Sequence, residues 1–172
     1  MPPSAPTLHM LCGKIGSGKS TLAARLGRVE GTVLIAEDDW LSALFSEEMS
    51  SPKDYMRCAA KLRAIMGPHV VSLLKAGVSV VLDFPANTTE NRTWMRSILA
   101  ASNASHQLHV MATPDEICLE RLHARNAKGD HPFAATEAQF QLFSKYFAEP
   151  TADEGFNIVL HGPEEADGPE RS

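Results

Sequence analysis

The chain has 172 residues, a length typical of one domain, and 44% of them are hydrophobic and 22% charged. This composition excludes collagen-like, coiled-coil and wholly disordered chains, and no apolar run approaches the roughly 20 residues that a membrane-spanning helix needs. The formal net charge is −5, and no block of basic residues provides the positive groove that a nucleic acid would need.

Both ends of the sequence have the composition of tails. Residues 1–7 are rich in proline, and residues 162–172 combine glycine, proline and acidic residues, so we expect two disordered tails around one domain at 8–161. The three cysteines are far apart, and the first residues lack the charged and apolar regions of a secretion signal. These features predict reduced thiols and a cytoplasmic protein.

Strand-like and helix-like stretches alternate along the chain. β-Branched and apolar runs predict five strands, over Leu8–Cys12, Thr32–Ala36, Val78–Leu82, Gln107–Met111 and Phe156–Leu160. Apolar residues at helical spacing predict six helices, over Lys19–Arg28, Asp39–Phe45, Asp54–Lys75, Glu90–Ala101, Pro114–Arg125 and Thr136–Ala148. We expect the second strand to be buried and the third helix to be broken or kinked at Gly67-Pro68.

This alternation predicts an α/β fold, a three-layer sandwich around a mostly parallel five-stranded sheet. Residues 126–135 are polar and contain glycine and proline, and we expect them to form a mobile lid loop. Ligands of such folds bind beyond the carboxyl ends of the strands, where this sequence places its polar residues.

One motif carries most of the chemical information. The segment G-K-I-G-S-G-K-S follows the first strand, opens the first helix and matches the phosphate-binding pattern G-x-x-x-x-G-K-[ST] in full. Its residues are Gly13, Lys14, Ile15, Gly16, Ser17, Gly18, Lys19 and Ser20. The glycines allow positive-φ conformations that bring backbone N–H groups to the phosphates, and the helix N-terminus adds partial positive charge. The motif predicts a P-loop site for a nucleoside triphosphate.

Three side chains at the end of this motif have distinct expected roles. Lys19 bridges the β- and γ-phosphates, the Ser20 hydroxyl coordinates Mg²⁺, and Thr21 reaches the α-phosphate. The guanine-reading pattern Asn-Lys-x-Asp is missing, because the nearest segment, residues 126–130, has the wrong spacing. ATP and Mg²⁺ are therefore the expected ligands.

The remaining residues favour a small kinase over other P-loop proteins. Large motor and transporter ATPases place an acidic residue directly after the Asp of a later strand, whereas Asp83 is followed by Phe84. A small kinase needs a carboxylate that takes the acceptor's proton and arginines that close over the transferring phosphoryl group. Glu37-Asp38-Asp39 supplies the first after the second strand, although Asp39 also suits a helix cap and Asp38 a solvated charge.

Arg121 and Arg125 supply the second requirement. They are four residues apart, hence on one face of a helix, and that helix leads into the expected lid. The alternative is an ordinary solvated helix face. No role is assigned from the sequence to His131 or to Asp153 and Glu154.

Taken together, these residues resemble a known family. The P-loop, Asp-Asp-aromatic after strand two, Asp83-x-x-x-Asn87 after strand three and Arg121-x-x-x-Arg125 before a lid are similar to the kinase half of phage polynucleotide kinases. They also resemble the related zeta toxins and chloramphenicol phosphotransferase, over about residues 8–160. The resemblance implies Asp38 as general base, Arg125 as lid arginine and Arg121 near the nucleotide. It implies that Asp83 acts on Mg²⁺ through water or on the acceptor.

One position departs from the polynucleotide enzymes, which have an arginine that grips the acceptor phosphate where this chain has Leu41. Trp40 beside it suits either the core or the wall of an acceptor site. We therefore expect a kinase that phosphorylates a hydroxyl of a small molecule, such as an antibiotic, a nucleoside or a sugar-type metabolite.

Two other functions remain open from the sequence. One is a kinase that acts on polynucleotide 5′ ends or sugar nucleotides, which the missing basic groove disfavours without excluding. The other is a nucleotide-binding switch that hydrolyses ATP slowly and signals to a protein partner. No membrane partner is expected, and the oligomeric state is left open.

Overall fold

The computed structural model describes residues 5–129 and 135–163. Five strands form one sheet, in the order β2-β3-β1-β4-β5, and every neighbouring pair is parallel. The strands are β1 (Thr7–Cys12), β2 (Thr32–Ala36), β3 (Ser79–Pro85), β4 (Ser105–Met111) and β5 (Ile158–His161). The predicted α/β fold is thus confirmed, with a wholly parallel sheet.

The helices of the described residues connect these strands. They are α1 (Lys19–Gly27), α2 (Glu37–Phe45), α3 (Pro52–Lys75), α4 (Thr89–Ser102), α5 (Asp115–Lys128) and α6 (Glu137–Tyr146). Single turns of 3-10 helix follow at Ser46–Glu48 and Ala152–Glu154. Within the two described ranges, no helix is both long enough and apolar enough to cross a membrane.

Helices cover both faces of the sheet. On one face, strand residues such as Met10 and Leu82 pack with Met66 of α3 and Met95 of α4 in the main core. On the other face, Leu11 and its neighbours on β3 and β4 pack against α1. These two layers of helices around a sheet are the predicted three-layer sandwich.

The strand order places the phosphate-binding motif at the switch point of the sheet. The chain leaves β1 toward β2 and β3 on one side and continues with β4 and β5 on the other. At such a point the connections diverge and leave a crevice beyond the carboxyl ends of the strands. The motif between β1 and α1 opens into this crevice.

Three predicted features differ from the structure. β2 is an edge strand rather than a buried one, so Val33 and Leu34 are exposed. α3 runs unbroken through Pro68. Asn126 and the two residues after it belong to α5 and not to a loop, and helix α5 ends at Gly129, whose φ of 68° suits glycine.

The predicted boundaries are only partly covered by the described residues. β1 begins at Thr7, the last residue assigned to the N-terminal tail. Residues 130–134 of the expected lid, including His131, lie outside the described residues, as do residues 1–4 and 164–172 of the expected tails.

Candidate active site

The loop between β1 and α1 has the geometry of an anion site. Gly16 and Gly18 have φ values of 77° and 101°, a region that residues with a Cβ rarely adopt. α1 begins at Lys19, and no side chain among the described residues caps this helix end, whose first turn also lacks acidic residues. Its N–H groups and partial positive charge therefore remain available to a phosphate.

Side chains from three other segments fix the backbone of this loop. The Asn87 side chain binds both backbone groups of Gly13. Gly13 N donates to Asn87 Oδ1, and Asn87 Nδ2 donates to Gly13 O, each at 2.9 Å. Thr113 Oγ1 donates to Ser17 O at 2.9 Å. Arg121 Nη1 donates to Gly16 O at 3.3 Å. These hydrogen bonds therefore fix the backbone of the loop to three neighbouring segments.

Two residues of the loop are closely surrounded by other parts of the chain. A Cβ added to Gly16 would overlap the carbonyl oxygen of Cys118, so only glycine lets the loop lie this close to α5. The Ser17 hydroxyl is buried and has no hydrogen-bond partner among the described residues. Lys14, in contrast, is already engaged, since its Nζ lies 2.9 Å from Asp115 Oδ1.

Acidic side chains of α2 and β3 lie at the end of the sheet next to the phosphate loop. Asp38 and Asp39 lie in the first turn of α2, and Asp83 lies in β3, paired with the last residue of β2. Burial raises the pKa of the Asp83 carboxyl, Asp38 and Asp39 raise it further, and Lys19 lowers it. Lys19, Asp38 and Asp39 are therefore all close enough to Asp83 to affect its carboxyl, and we call Asp38, Asp39 and Asp83 the carboxylate cluster.

This cluster fits a divalent cation. A positive ion would offset the repulsion that Asp38 and Asp39 exert on the Asp83 carboxylate, and oxygen atoms are the ligands that Mg²⁺ prefers. Ser20, the first-turn hydroxyl of α1, lies beside Lys19 in the same loop. Within the described ranges, no group of three or more His, Cys, Asp or Glu side chains forms a metal site by itself, so phosphate oxygens or water would complete the coordination.

Glu37 differs from the two aspartates that follow it, a difference the sequence did not reveal. It is 2% exposed, accepts a hydrogen bond from Tyr55 OH, and lies 3.7 Å from Arg63 Nη2 through Oε2. Burial raises its pKa. Glu37 therefore joins α2 to α3. The sequence feature that could have indicated its burial is its position four residues before Leu41, which places both residues on the buried face of α2.

The two arginines of α5 have different positions. Arg121 contacts the phosphate loop and also donates from Nη2 to Pro163 O at 3.1 Å. Arg125 lies one helical turn further along α5 and is half-buried. The structure therefore brings Arg121 to the phosphate loop, whereas Arg125 lies one helical turn closer to the C-terminal end of α5.

The two residues expected at the acceptor side, Leu41 and Trp40, differ in their exposure to solvent. Leu41 is fully buried in the main core. Trp40 is 41% exposed, which rules out a core position, and it lines a cleft of about 360 Å³ against Met66 and His69 of α3.

The segment after α6 contains a contact that no sequence motif indicated. Arg92 of α4 is 1% exposed, and its Nε donates to Glu154 Oε1 at 2.7 Å. Glu154 is thus bound to an arginine within the fold, and Asp153 stays without an assigned role. Two acidic residues and a distant arginine in the sequence gave no sign of this pairing.

Comparison with known proteins identifies the family. The AAA-domain family AAA_33 matches residues 8–150, which is most of the chain. No curated protein sequence matches this chain. The crystal structure of a candidate kinase from Chloroflexus aurantiacus is 18% identical with a TM-score of 0.73, and covers 92% of this chain and 89% of its own.

Two further structures share the fold. The APS kinase CysC of Mycobacterium tuberculosis, solved with AMPPNP and APS, is 20% identical with a TM-score of 0.64, over 96% of this chain and 95% of its own. A chain of the Pnkp1/Rnl/Hen1 RNA repair complex is 22% identical with a TM-score of 0.55, over 83% of this chain and 46% of its own. The shared architecture is the P-loop kinase fold.

Proposed function

Because the chain belongs to the AAA_33 family of P-loop proteins, we propose that it is an ATP-dependent kinase that phosphorylates a hydroxyl group of a small molecule. The observation that carries this proposal is the placement of the carboxylates: Asp38 and Asp39 lie in the first turn of α2, and Asp83 lies near the end of β3, the strand that pairs with both β2 and the strand before the phosphate loop. A phosphate loop alone binds a nucleotide, whereas transfer to a hydroxyl also needs a base next to it.

The loop residues bind the triphosphate. Backbone N–H groups of the loop other than those of Gly13 and Ser17, together with those of the uncapped first turn of α1, would bind the phosphates, and Lys19 would neutralise the β- and γ-phosphates. The Ser20 hydroxyl would hold Mg²⁺, Asp83 would act on Mg²⁺ through water or on the acceptor, and Thr21 would contact the α-phosphate. The bound Mg²⁺ would neutralise charge that develops between the β- and γ-phosphates.

Asp38 is the general base in this proposal. It lies in the first turn of α2, at the carboxyl end of β2, where an acceptor would approach the γ-phosphate. Its carboxylate accepts the proton of the acceptor hydroxyl as the oxygen attacks the γ-phosphorus, while the bond from that phosphorus to the β–γ bridging oxygen breaks and ADP leaves. Glu37 is unsuitable because it is buried and bound to Tyr55.

Arginines of α5 complete the site. Arg121 stabilises the loop and the nucleotide, while Arg125 approaches the transferring phosphoryl group and neutralises its equatorial oxygens. Charge that spreads over these oxygens in the transition state makes such a contact stronger there than in the ground state.

A small acceptor that carries no phosphate suits this chain best. Leu41 is buried in the core, so the position that holds a phosphate-gripping arginine in the resembled polynucleotide enzymes offers no group to an acceptor. The exposed indole of Trp40 provides an apolar surface on the same helix. We place the kinase in the cytoplasm, since Cys12, Cys58 and Cys118 are all buried and unpaired.

Nucleotide binding is tested by calorimetry with Mg-ATP. Lys19→Ala removes a charge-assisted contact worth about 1.5–3 kcal/mol, so affinity falls by roughly 10- to 150-fold. Lys61→Ala, on the exposed part of α3, is the matched control and keeps the wild-type affinity. Equal affinity of the Lys19→Ala and Lys61→Ala variants would refute the proposed binding mode.

A further inference from the structure

We propose that Arg92 is a positioning residue for the phosphate loop and that it acts through Asn87. This inference rests on the proposed nucleotide site, but it concerns residues that touch neither nucleotide nor acceptor in that proposal. The evidence is a closed set of hydrogen bonds between α4, the β3–α4 connection and the segment after α6.

Arg92 is buried where a charge is costly. Its side chain is 1% exposed, and removal of a guanidinium from water costs several kcal/mol unless the group is paired and hydrogen-bonded. Nε donates to Glu154 Oε1 at 2.7 Å, and Nη1 donates to Ala86 O at 2.9 Å and to Ala148 O at 2.8 Å. The planar fork thus holds two backbone carbonyls and a carboxylate at once, which a single ammonium group does poorly.

These contacts fix the residue next to Ala86. Asn87 O accepts a hydrogen bond from Ala148 N at 2.8 Å, and Arg92 holds Ala148 O on the other side of the same residue. Ala148 is therefore tied to Asn87 by its N–H and to Arg92 by its carbonyl. Arg92 thus binds the carbonyls of Ala86 and Ala148. Asn87 is bonded covalently to Ala86 and hydrogen-bonded to Ala148, so Arg92 fixes both of its neighbours.

Asn87 in turn continues the sheet into the phosphate loop. The regular register of β1 with β3 ends at Met10, and Leu11 pairs with Pro85 after an irregularity. Beyond that point the Asn87 side chain forms the hydrogen bonds that a neighbouring strand would otherwise provide, to Gly13 N and Gly13 O, each at 2.9 Å. The start of the phosphate loop thus has the orientation that the Asn87 amide gives it.

A purely structural role for Arg92 would make a different prediction. The segment after α6 is also held by Arg96, whose guanidinium lies 4.5 Å from the Phe156 ring centroid. If Arg92 only attached this segment to α4, replacement of either arginine would lower stability and leave nucleotide affinity unchanged. If Arg92 positions Asn87, only its own replacement weakens nucleotide binding.

The test is a double-mutant cycle read by calorimetry with Mg-AMPPNP, on proteins shown by thermal melting to be folded at the assay temperature. Arg92→Lys keeps the positive charge and loses the fork, and we expect it to lower affinity by about fivefold or more in the wild-type background. In the Asn87→Ala background the same change has less than about a twofold effect, because the path through Asn87 is already lost. Arg96→Lys, the same substitution one turn along, stays within about twofold of wild type.

Each other outcome overturns the proposal. A folded Arg92→Lys variant with wild-type affinity, or equal losses in both backgrounds, would show that Arg92 does not act through Asn87. If Arg92→Lys does not fold, Glu154→Gln, which leaves the guanidinium without its carboxylate partner, replaces it in the cycle with the same criteria. Wild-type protein that fails to bind Mg-AMPPNP would refute the proposed nucleotide site instead.

Discussion

Three consecutive carboxylates at the start of α2 have three different environments. Glu37 is buried against Tyr55, Asp38 is half-buried, and Asp39 is exposed. A helix turns by about 100° per residue, so neighbours in sequence differ in their exposure to solvent. The residue with the right chemistry for a base is therefore set by its place on the helix.

Replacement of Asp38 by Asn tests its proposed role. Asp38→Asn keeps the shape of the side chain but cannot take a proton, so kcat falls by about 10²- to 10⁴-fold while Mg-ATP affinity is retained. Asp39→Asn is the control and lowers kcat far less. Steady-state kinetics with a reactive acceptor decide the matter, and a nearly active Asp38→Asn beside an inactive Asp39→Asn would transfer the role to Asp39.

The two arginines of α5 should respond differently to replacement. Arg125→Ala lowers kcat much more than it weakens ATP binding, because its contact with the phosphoryl group forms mainly in the transition state. Arg121→Ala mainly weakens ATP binding, since Arg121 already holds the loop through Gly16 O. Calorimetry and kcat measured on both variants provide the comparison, and an Arg125→Ala variant with wild-type kcat would leave Arg125 as a solvated helix residue.

At the scale of elements, the loop that joins β1 to α1 depends on close contact with α5. Gly16 and Gly31 have nearly the same φ, 77° and 76°, but only at Gly16 would a Cβ meet another backbone. Either change to Ala forces a residue with a Cβ into the left-handed region, at about 1–2 kcal/mol. Gly16→Ala additionally displaces the phosphate loop and abolishes Mg-ATP binding.

Gly31→Ala is thus the matched control for this prediction. It lowers the free energy of unfolding through backbone strain and leaves Mg-ATP affinity unchanged. Chemical denaturation and calorimetry on the two variants separate the two effects. Loss of nucleotide binding in both variants to the same degree would mean that strain alone, and not contact with Cys118, explains the requirement for glycine.

Strands β1, β4 and β5 carry a row of histidines joined by hydrogen bonds. His9 Nδ1 lies 3.0 Å from His109 Nε2, and His109 Nδ1 lies 2.8 Å from His161 Nε2. Burial, and to a smaller extent the neighbouring His9 and His161, lower the pKa of His109 to about 4. Neutral rings can alternate as donor and acceptor along the row, whereas a protonated His109 loses its acceptor.

The stability of the sheet should therefore depend on pH. Because the pKa of His109 is lower in the folded chain than the ordinary value of 6.5, its stabilising contribution is complete above pH 6.5. That contribution is lost as the pH falls through about 4. We expect the melting temperature to fall over this interval and to fall less in His109→Gln, which does not titrate.

The exposed His69 provides the control for this pH dependence. His69→Gln makes the same substitution at an exposed residue of α3 outside the histidine row, and we expect only His109→Gln to change the slope of melting temperature against pH. Identical slopes for His109→Gln and wild type would contradict the assigned role of the histidine row.

Most helices and strands were predictable, because hydrophobic periodicity is a property of local sequence. Their exposure to solvent was not predictable in the same way. The composition of β2 suggested a buried strand, whereas its edge position follows from strand order, which no local pattern contains. Pro68 interrupts one hydrogen bond of α3, yet contacts of Met66 and Val70 with the core on either side maintain the helix.

At the scale of the whole molecule, the site is assembled from segments far apart in the sequence. The phosphate loop was predictable because its chemistry lies in eight consecutive residues. The Asn87 contact with Gly13, the Tyr55 contact with Glu37 and the Arg92 network join residues 18 to 74 positions apart. Such pairs depend on topology, so no local motif announces them.

The central claim is that the chain transfers the γ-phosphoryl group of ATP to a hydroxyl of a small molecule. Incubation of the wild-type protein with γ-labelled Mg-ATP, pooled small hydroxyl compounds and 5′-OH oligonucleotides tests it most directly. We predict label in a small organic product, with Lys19→Ala and Asp38→Asn inactive. Label only in oligonucleotides would assign the acceptor to nucleic acid ends. Release of inorganic phosphate alone, slow and stimulated by a protein partner, would contradict the kinase account.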